Sequence, residues 1–236
     1  MERQIDQQLD KLKTRIIKMC SLVDEQVEFA IRSIDTEDAG IAQLVIERDK
    51  KVDKYDLKID RICQKIFALN QPVAMDLRLI MSSLIINNNL ERAGDIAVNI
   101  AESFLELKKK PDFMGRIHFD EMSKLVKTMI RNAIDSFIEG NAQLAKTVIE
   151  ADNIVDDLNR ENRKILIEIM KESRENIEPG VAMLVISRQL ERLGDHATNI
   201  AEDVYFIVEA QMIKHKYEKI FTNAIDEEED ENEDNL

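Results

Sequence analysis

Four carboxylates in the first half of the chain come back in the second. Asp49 and Asp53 stand four residues apart, as do Glu91 and Asp95, and Asp152/Asp156 and Glu191/Asp195 repeat both pairs at the same spacing. On an α-helix, residues four apart lie one above the other on one face, with Cβ atoms ~5–6 Å apart. Each motif is therefore a carboxylate pair, and two pairs that face each other would crowd four acids together. Carboxylates that close cannot all stay ionised without raised pKa values or a counter-charge. Hard, oxygen-preferring cations supply that charge, and bridging carboxylates can hold more than one of them. The plainer alternative is a solvated helix face, with Lys50, Lys54 and Arg92 pairing to their acidic neighbours for ~0.2–0.5 kcal/mol each.

The duplication weighs these two readings against each other. LERAGDIAVNIAE at 90–102 returns as LERLGDHATNIAE at 190–202, identical at ten of thirteen positions. Upstream the offset becomes 103, where VIERDKKVD at 45–53 pairs with VIEADNIVD at 148–156. The change of three falls between the second and third helices of a unit, where a loop can absorb it. Asp49 and Asp53 belong to an acidic stripe that continues through Asp56 and Asp60, yet those last two meet Asn159 and Arg163 in the second half. Selective retention of particular acids favours ligands over general surface charge. Asn99, Glu102, Asn199 and Glu202 also recur and continue the same face, as further metal ligands or as helix-packing groups. Glu47 and Glu150 recur as well, but two residues from Asp49 and Asp152 they lie on a different face, which suits surface positions.

Other reactive side chains carry less. His196 meets Ile96, and Cys20 and Cys63 meet Ser123 and Leu166, so none is a repeated ligand. Both cysteines are expected at core or half-buried positions. No EF-hand loop, P-loop, HExxH or nucleophile–base constellation occurs. Gly94 and Gly194 each cost ~1 kcal/mol relative to Ala inside a helix, which predicts close packing at both.

The elements that carry these faces are long helices. Of 236 residues, 44% are hydrophobic and only 5% aromatic, with six Gly and three Pro, a helical rather than a turn-rich composition. Breakers at 35–40, 70–72, 110–115, 140–141 and 178–180 cut the chain into six segments. In the first, Ile5, Leu9, Leu12, Ile16, Met19 and Val23 alternate steps of four and three. Ile41, Val45, Arg48, Val52, Tyr55, Ile59, Ile62, Ile66 and Leu69 do the same in the second. Such seams bury against neighbouring helices at shallow angles. The expected fold is all-α, two tandem three-helix bundles related by pseudo-twofold symmetry, spanning 1–110 and 111–221.

Charge and hydropathy exclude several classes. The formal net charge is −14, and eight acids fall in the last eleven residues, so 222–236 is expected to be an acidic disordered tail beyond a body ending near Phe221. A pI near 4.8 argues against nucleic-acid binding. No apolar run reaches the ~18–20 residues of a membrane span, and the N-terminus lacks the apolar stretch of a signal peptide. Two cysteines without a CxxC motif fit a reducing cytosol, so a cytoplasmic protein is expected.

The repeated Glu-Arg-x-Gly-Asp-x-Ala-x-Asn-Ile-Ala-Glu, at 91–102 and 191–202, together with the DxxxD motifs at 49–53 and 152–156, closely resembles the signature of the PhoU family of phosphate-uptake regulators. The resemblance spans roughly 5–215. It implies a non-enzymatic negative regulator acting between a phosphate ABC transporter and a sensor histidine kinase, peripheral to the membrane only through those partners, and homodimeric. It also implies polynuclear metal clusters, iron foremost, with zinc, manganese or magnesium as alternatives. By position the ligands would be Asp49, Asp53, Glu91 and Asp95, then Asp152, Asp156, Glu191 and Asp195. Two other readings stay open: a carboxylate-bridged metal oxidase, disfavoured because Gly rather than His follows Glu91 and Glu191 at i+3, and a metal-free helical scaffold.

Overall fold

The computed structural model describes residues 4–211, and the expectations for an acidic tail at 222–236 and a body ending near Phe221 fall outside them. Six helices account for nearly all of the described chain: α1 (Gln4–Thr36), α2 (Ala39–Asn70), α3 (Ala74–Leu107), α4 (Phe119–Glu139), α5 (Ala142–Glu172) and α6 (Ile177–Glu209). Single 3₁₀ turns at Met114–Arg116 and Arg174–Asn176 precede α4 and α6. Among the described residues there is no strand.

Local chemistry sets the helix ends. The Asp38 side chain accepts from the amides of Gly40 and Ile41 at the start of α2, and Asn141 accepts from Leu144 at the start of α5. Gly140 closes α4 with φ +64°, a left-handed conformation that glycine adopts at little cost. One break differs from expectation. Helix α5 stops at Glu172, and Glu178-Pro179-Gly180 lies inside the first turn of α6 rather than between helices. Proline is tolerated there because first-turn amides have no intrahelical partner to lose. A side chain at Gly180 would collide with Met170 of α5, so this glycine marks a close helix approach.

The α2 seam is buried where it faces the unit's interior. Val45, Val52, Ile59 and Ile66 are fully buried, whereas Arg48, Tyr55 and Ile62 are half-buried and Leu69 is 64% exposed. Cys63, not Ile62, completes the core at that level. Arg48 lies over the Phe29 ring at 5.3 Å and pairs with Glu25, which reconciles a charge with a seam position. Helices α1, α2 and α3 pack on one another, as do α4, α5 and α6, and α3 against α6 forms the main joint between the bundles. The two joint helices run antiparallel. Leu77 and Met81 near the start of α3 share a cleft with Phe206 near the end of α6, and Ile177 and Val181 share one with Leu107. That arrangement points the α2/α3 and α5/α6 faces of the two bundles in a twofold-related way.

Candidate metal centre

The second bundle gathers its acids most tightly. Asp156 on α5 and Glu191 and Asp195 on α6 each place a carboxylate oxygen within 4.8 Å of the others, the one such group of acids, histidines or cysteines among the described residues. Glu191 is only 8% exposed. Its Oε1 is held by Arg188 one turn earlier, while its Oε2 is buried with no hydrogen-bond partner. Burial raises the Glu191 carboxyl above its ordinary value, Asp195 and Asp156 raise it further, and Arg188 opposes them. Asp152, one turn from Asp156, accepts a hydrogen bond from Thr198 Oγ1 at 3.2 Å.

The first bundle spreads the same acids more loosely. Asp49 accepts from Gln26 Nε2 of α1 at 2.9 Å, and that amide also reaches the Gly94 carbonyl at 3.5 Å. Gln26 is 1% exposed, a buried amide serving a half-buried carboxylate. Burial pushes the Asp49 carboxyl up, as do Asp53 and Asp95, against the Gln26 hydrogen bond. Glu91 is raised by burial and by Asp95, Asp56 and Asp53, with Arg92 at 3.7 Å opposing. The expected pairing of α2 acids with α3 acids is thus felt electrostatically on both sides, although no three of these oxygens close to the spacing seen in the second bundle.

The glycines sit where the two faces meet. A Cβ on Gly94 would come within 3.3 Å of Val52 and 3.4 Å of Asp49 Oδ1, and one on Gly194 within 3.4 Å of Val155. The close packing expected at both is therefore with side chains of the neighbouring helix. The four further candidates behave differently. Asn199 donates to Asn89 Oδ1 across the α3–α6 joint at 3.3 Å, and Glu202 lines the adjacent cleft with Asn199 and Leu77. Eight residues past Glu191 is not a whole number of turns, so Asn199 is rotated off the acidic face toward α3. Glu102 is exposed, and the Asn99 carbonyl accepts from Ser103.

His196 hydrogen-bonds Asn89 Oδ1 at 2.8 Å, and burial with Arg192 and Arg92 nearby lowers its pKa to about 4, so it is a neutral joint residue. Cys20 and Cys63 are buried, their thiols pushed up to about 12, in keeping with core roles. Glu47 and Glu150 are exposed. Gln26, Thr198 and Arg188 were not among the expected residues. Gln26 had a signal: the α1 seam through Met19 and Val23 continues in its own rhythm to position 26, where an amide replaces an apolar residue.

A constellation of carboxylates without histidine or thiolate suits hard cations. The orphaned Glu191 Oε2 beside Asp156 and Asp195 fits such a group, because a cation would satisfy the one buried oxygen that the protein leaves without a partner.

Comparison with known proteins adds an independent line. A family model described as the PhoU domain matches twice, at residues 16–104 and 119–204. The "Phosphate-specific transport system accessory protein PhoU homolog" of Aquifex aeolicus is 35% identical over 212 residues, covering 90% of this chain and 96% of that protein. Homolog 1 of the same name from Thermotoga maritima is 32% identical over 216 residues, covering 89% and 90%. The crystal structure of PhoU from Pseudomonas aeruginosa superposes with a TM-score of 0.85 at 32% identity, over 88% of this chain and all of that one. The phosphate transport system regulatory protein PhoU from Streptococcus pneumoniae gives 0.80 at 27% identity, over 89% and 100%.

Proposed function

Because this chain belongs to the PhoU family, we propose that it is a non-enzymatic accessory regulator of phosphate uptake that binds metal through its repeated carboxylates. In this reading it acts as a negative regulator, docking on the cytosolic side of a phosphate ABC transporter and on a sensor histidine kinase. The two repeat units divide at 110/111, between α3 and α4, and the protein works as a homodimer in the cytoplasm. No described helix is long and apolar enough to cross a membrane, which is compatible with attachment through partners.

Asp49, Asp53, Glu91 and Asp95 would hold metal in the first unit, and Asp152, Asp156, Glu191 and Asp195 in the second. When bound, the metal supplies positive charge that lets these acids stay ionised together. Iron in a polynuclear, carboxylate-bridged centre heads the candidates, with manganese, magnesium and zinc behind it. The carrying observation is the buried, unpartnered Glu191 Oε2 in a three-carboxylate cluster whose members all recur in the other half.

Protein purified without chelator or affinity metal is expected to carry several metal equivalents per chain by elemental mass spectrometry. Asp95→Ala/Asp195→Ala should lose them. Metal-free protein that still folds and still binds its partners would remove the metal from the proposal and leave the regulator. Absence of transporter or kinase in a pull-down, together with unchanged phosphate-responsive expression on deletion, would remove the regulator itself.

A further inference from the structure

Beyond the repeated carboxylates, the acidic stripe of α2 runs on into a part of the first bundle that has no equivalent in the second. Asp56 and Asp60 stand one turn apart on that stripe, and both face the same side chain of α3. Asn87 Nδ2 lies 2.7 Å from Asp56 Oδ1, 3.2 Å from Asp60 Oδ1 and 3.3 Å from the Asp56 carbonyl oxygen. Three oxygens thus surround one point, which an amide nitrogen now occupies. Asn87 is only 1% exposed, and its own Oδ1, on the same amide, is buried with no partner. The two ends of a carboxamide exchange places by rotation of the group. Turned over, Asn87 would present its orphan oxygen to the two carboxylates.

The charges around the pair do not neutralise it. Burial raises the Asp56 carboxyl, and the charged groups acting on it, Asp60 and Asp53, are both acidic. Glu91, one helical turn past Asn87, feels Asp56 as well. The second bundle resolves the same place differently. Asn159 replaces Asp56 and Arg163 replaces Asp60, so one acid becomes neutral and the other basic. Ser187 stands for Asn87, donating to Asn159 Oδ1 at 2.9 Å and accepting from Asn162 Nδ2 at 3.2 Å. There the polar groups satisfy one another. In the first bundle two carboxylates and a spare amide oxygen converge instead.

The geometry points to an additional hard-cation position in the first bundle alone, formed by Asp56, Asp60 and Asn87 with Glu91 as the neighbouring carboxylate. An all-oxygen set of this kind takes Mg²⁺, Mn²⁺ or Ca²⁺ rather than a soft metal. The position stands apart from the repeated motifs and makes the two halves unequal in metal stoichiometry.

Equilibrium dialysis of the full chain against Mn²⁺, after chelator treatment, tests it. Asp56→Asn/Asp60→Asn should bind one equivalent fewer than the wild type. Asp95→Ala/Asp195→Ala should keep one equivalent, which a further Asp60→Asn removes. An Asp56→Asn/Asp60→Asn protein with the wild-type number of equivalents overturns the additional position and leaves the repeated sites standing. A wild type that binds no Mn²⁺ overturns both. Melting in chelator checks that each variant folds. If the double variant does not, Asn87→Ser, which installs the second bundle's residue, should weaken one equivalent by at least tenfold, and unchanged binding there overturns the inference equally.

Discussion

The two bundles carry the same acidic signature and manage its charge in different ways. In the second, three carboxylates draw within 4.8 Å, and a guanidinium from the same helix holds Glu191. In the first, a buried amide from α1 serves Asp49, and the acids spread along six residues from Asp49 to Asp95 without a strong cation inside the cluster. The difference lies in residues flanking the signature, not in the signature. Gln26 faces Met129, Thr198 faces Val98, Arg188 faces Asn88 and Arg163 faces Asp60 in the repeat register. Duplication therefore preserved the ligands while their supports diverged, so the two sites should differ in proton and metal affinity despite matching ligand sets.

Exchanging the supports between halves tests this most directly. Gln26→Met installs the second half's residue with little change of volume and removes a buried hydrogen bond to a charged group. The expected cost is about 1–2 kcal/mol in metal-free protein, lowering Tm by about 2–8 °C. Thermal melting in chelator reads it, and an unchanged Tm would mean that water serves Asp49 as well as Gln26 does. The reciprocal support is weaker. Thr198→Val puts the first half's residue on α6 and removes the 3.2 Å bond to Asp152, for about 1 kcal/mol. Denaturant unfolding with an unaltered m-value is the suitable measure.

Much of this was legible before any coordinates. Seven-residue periodicity located the helices, and the internal offset of 100 to 103 paired the acids across the halves, because both are properties of residue order alone. The supports were harder to see. Gln26 and Asn87 reach carboxylates 23 and 31 residues away, contacts that depend on how helices cross and rotate. The break before α6 was misplaced because proline and glycine punctuate a chain in two ways. Pro179 and Gly180 begin a helix here rather than ending one, and Ser173, accepting from the Glu175 amide, makes the actual turn. Asn199 was assigned to the acidic face by sequence spacing, but helical rotation carries it to the α3–α6 joint.

The pH dependence of stability should also divide unevenly. Asp49, Asp56 and Glu91 in the first bundle and Glu191 in the second all have carboxyls raised above their ordinary values, chiefly by burial. A raised folded-state pKa means that the folded protein takes up the proton first. The penalty of holding these groups ionised is full at neutral pH and is relieved as pH falls through the raised values, toward the ordinary range of ~4. Metal-free protein should therefore melt at a higher temperature as pH falls from 7.5 toward 5.5, by less than the Gln26→Met loss. Asp24 and Asp35 on α1 shift the same way, so the wild-type slope alone does not apportion the effect. Asp49→Asn/Glu91→Gln should flatten the slope more than Glu191→Gln, and equal flattening would erase the asymmetry.

The smallest stability effect carries the most specific information. Arg188 is 61% exposed at its side chain, and the Glu191 side chain 11%, so their ion pair is partly screened and worth less than about 1 kcal/mol. Arg188→Asn, the first half's residue, should hardly move Tm. It should nevertheless raise the Glu191 carboxyl further, because the guanidinium is the group that opposes burial and the neighbouring acids there. The same guanidinium competes with any cation for Glu191. Its removal should tighten Mn²⁺ binding at the second site by roughly two- to fivefold, the equivalent of one exposed ion pair, while leaving the first site unchanged. Weaker binding would make Arg188 a support that orients Glu191 toward the metal, and the guanidinium would then belong to the site rather than stand in for its cation.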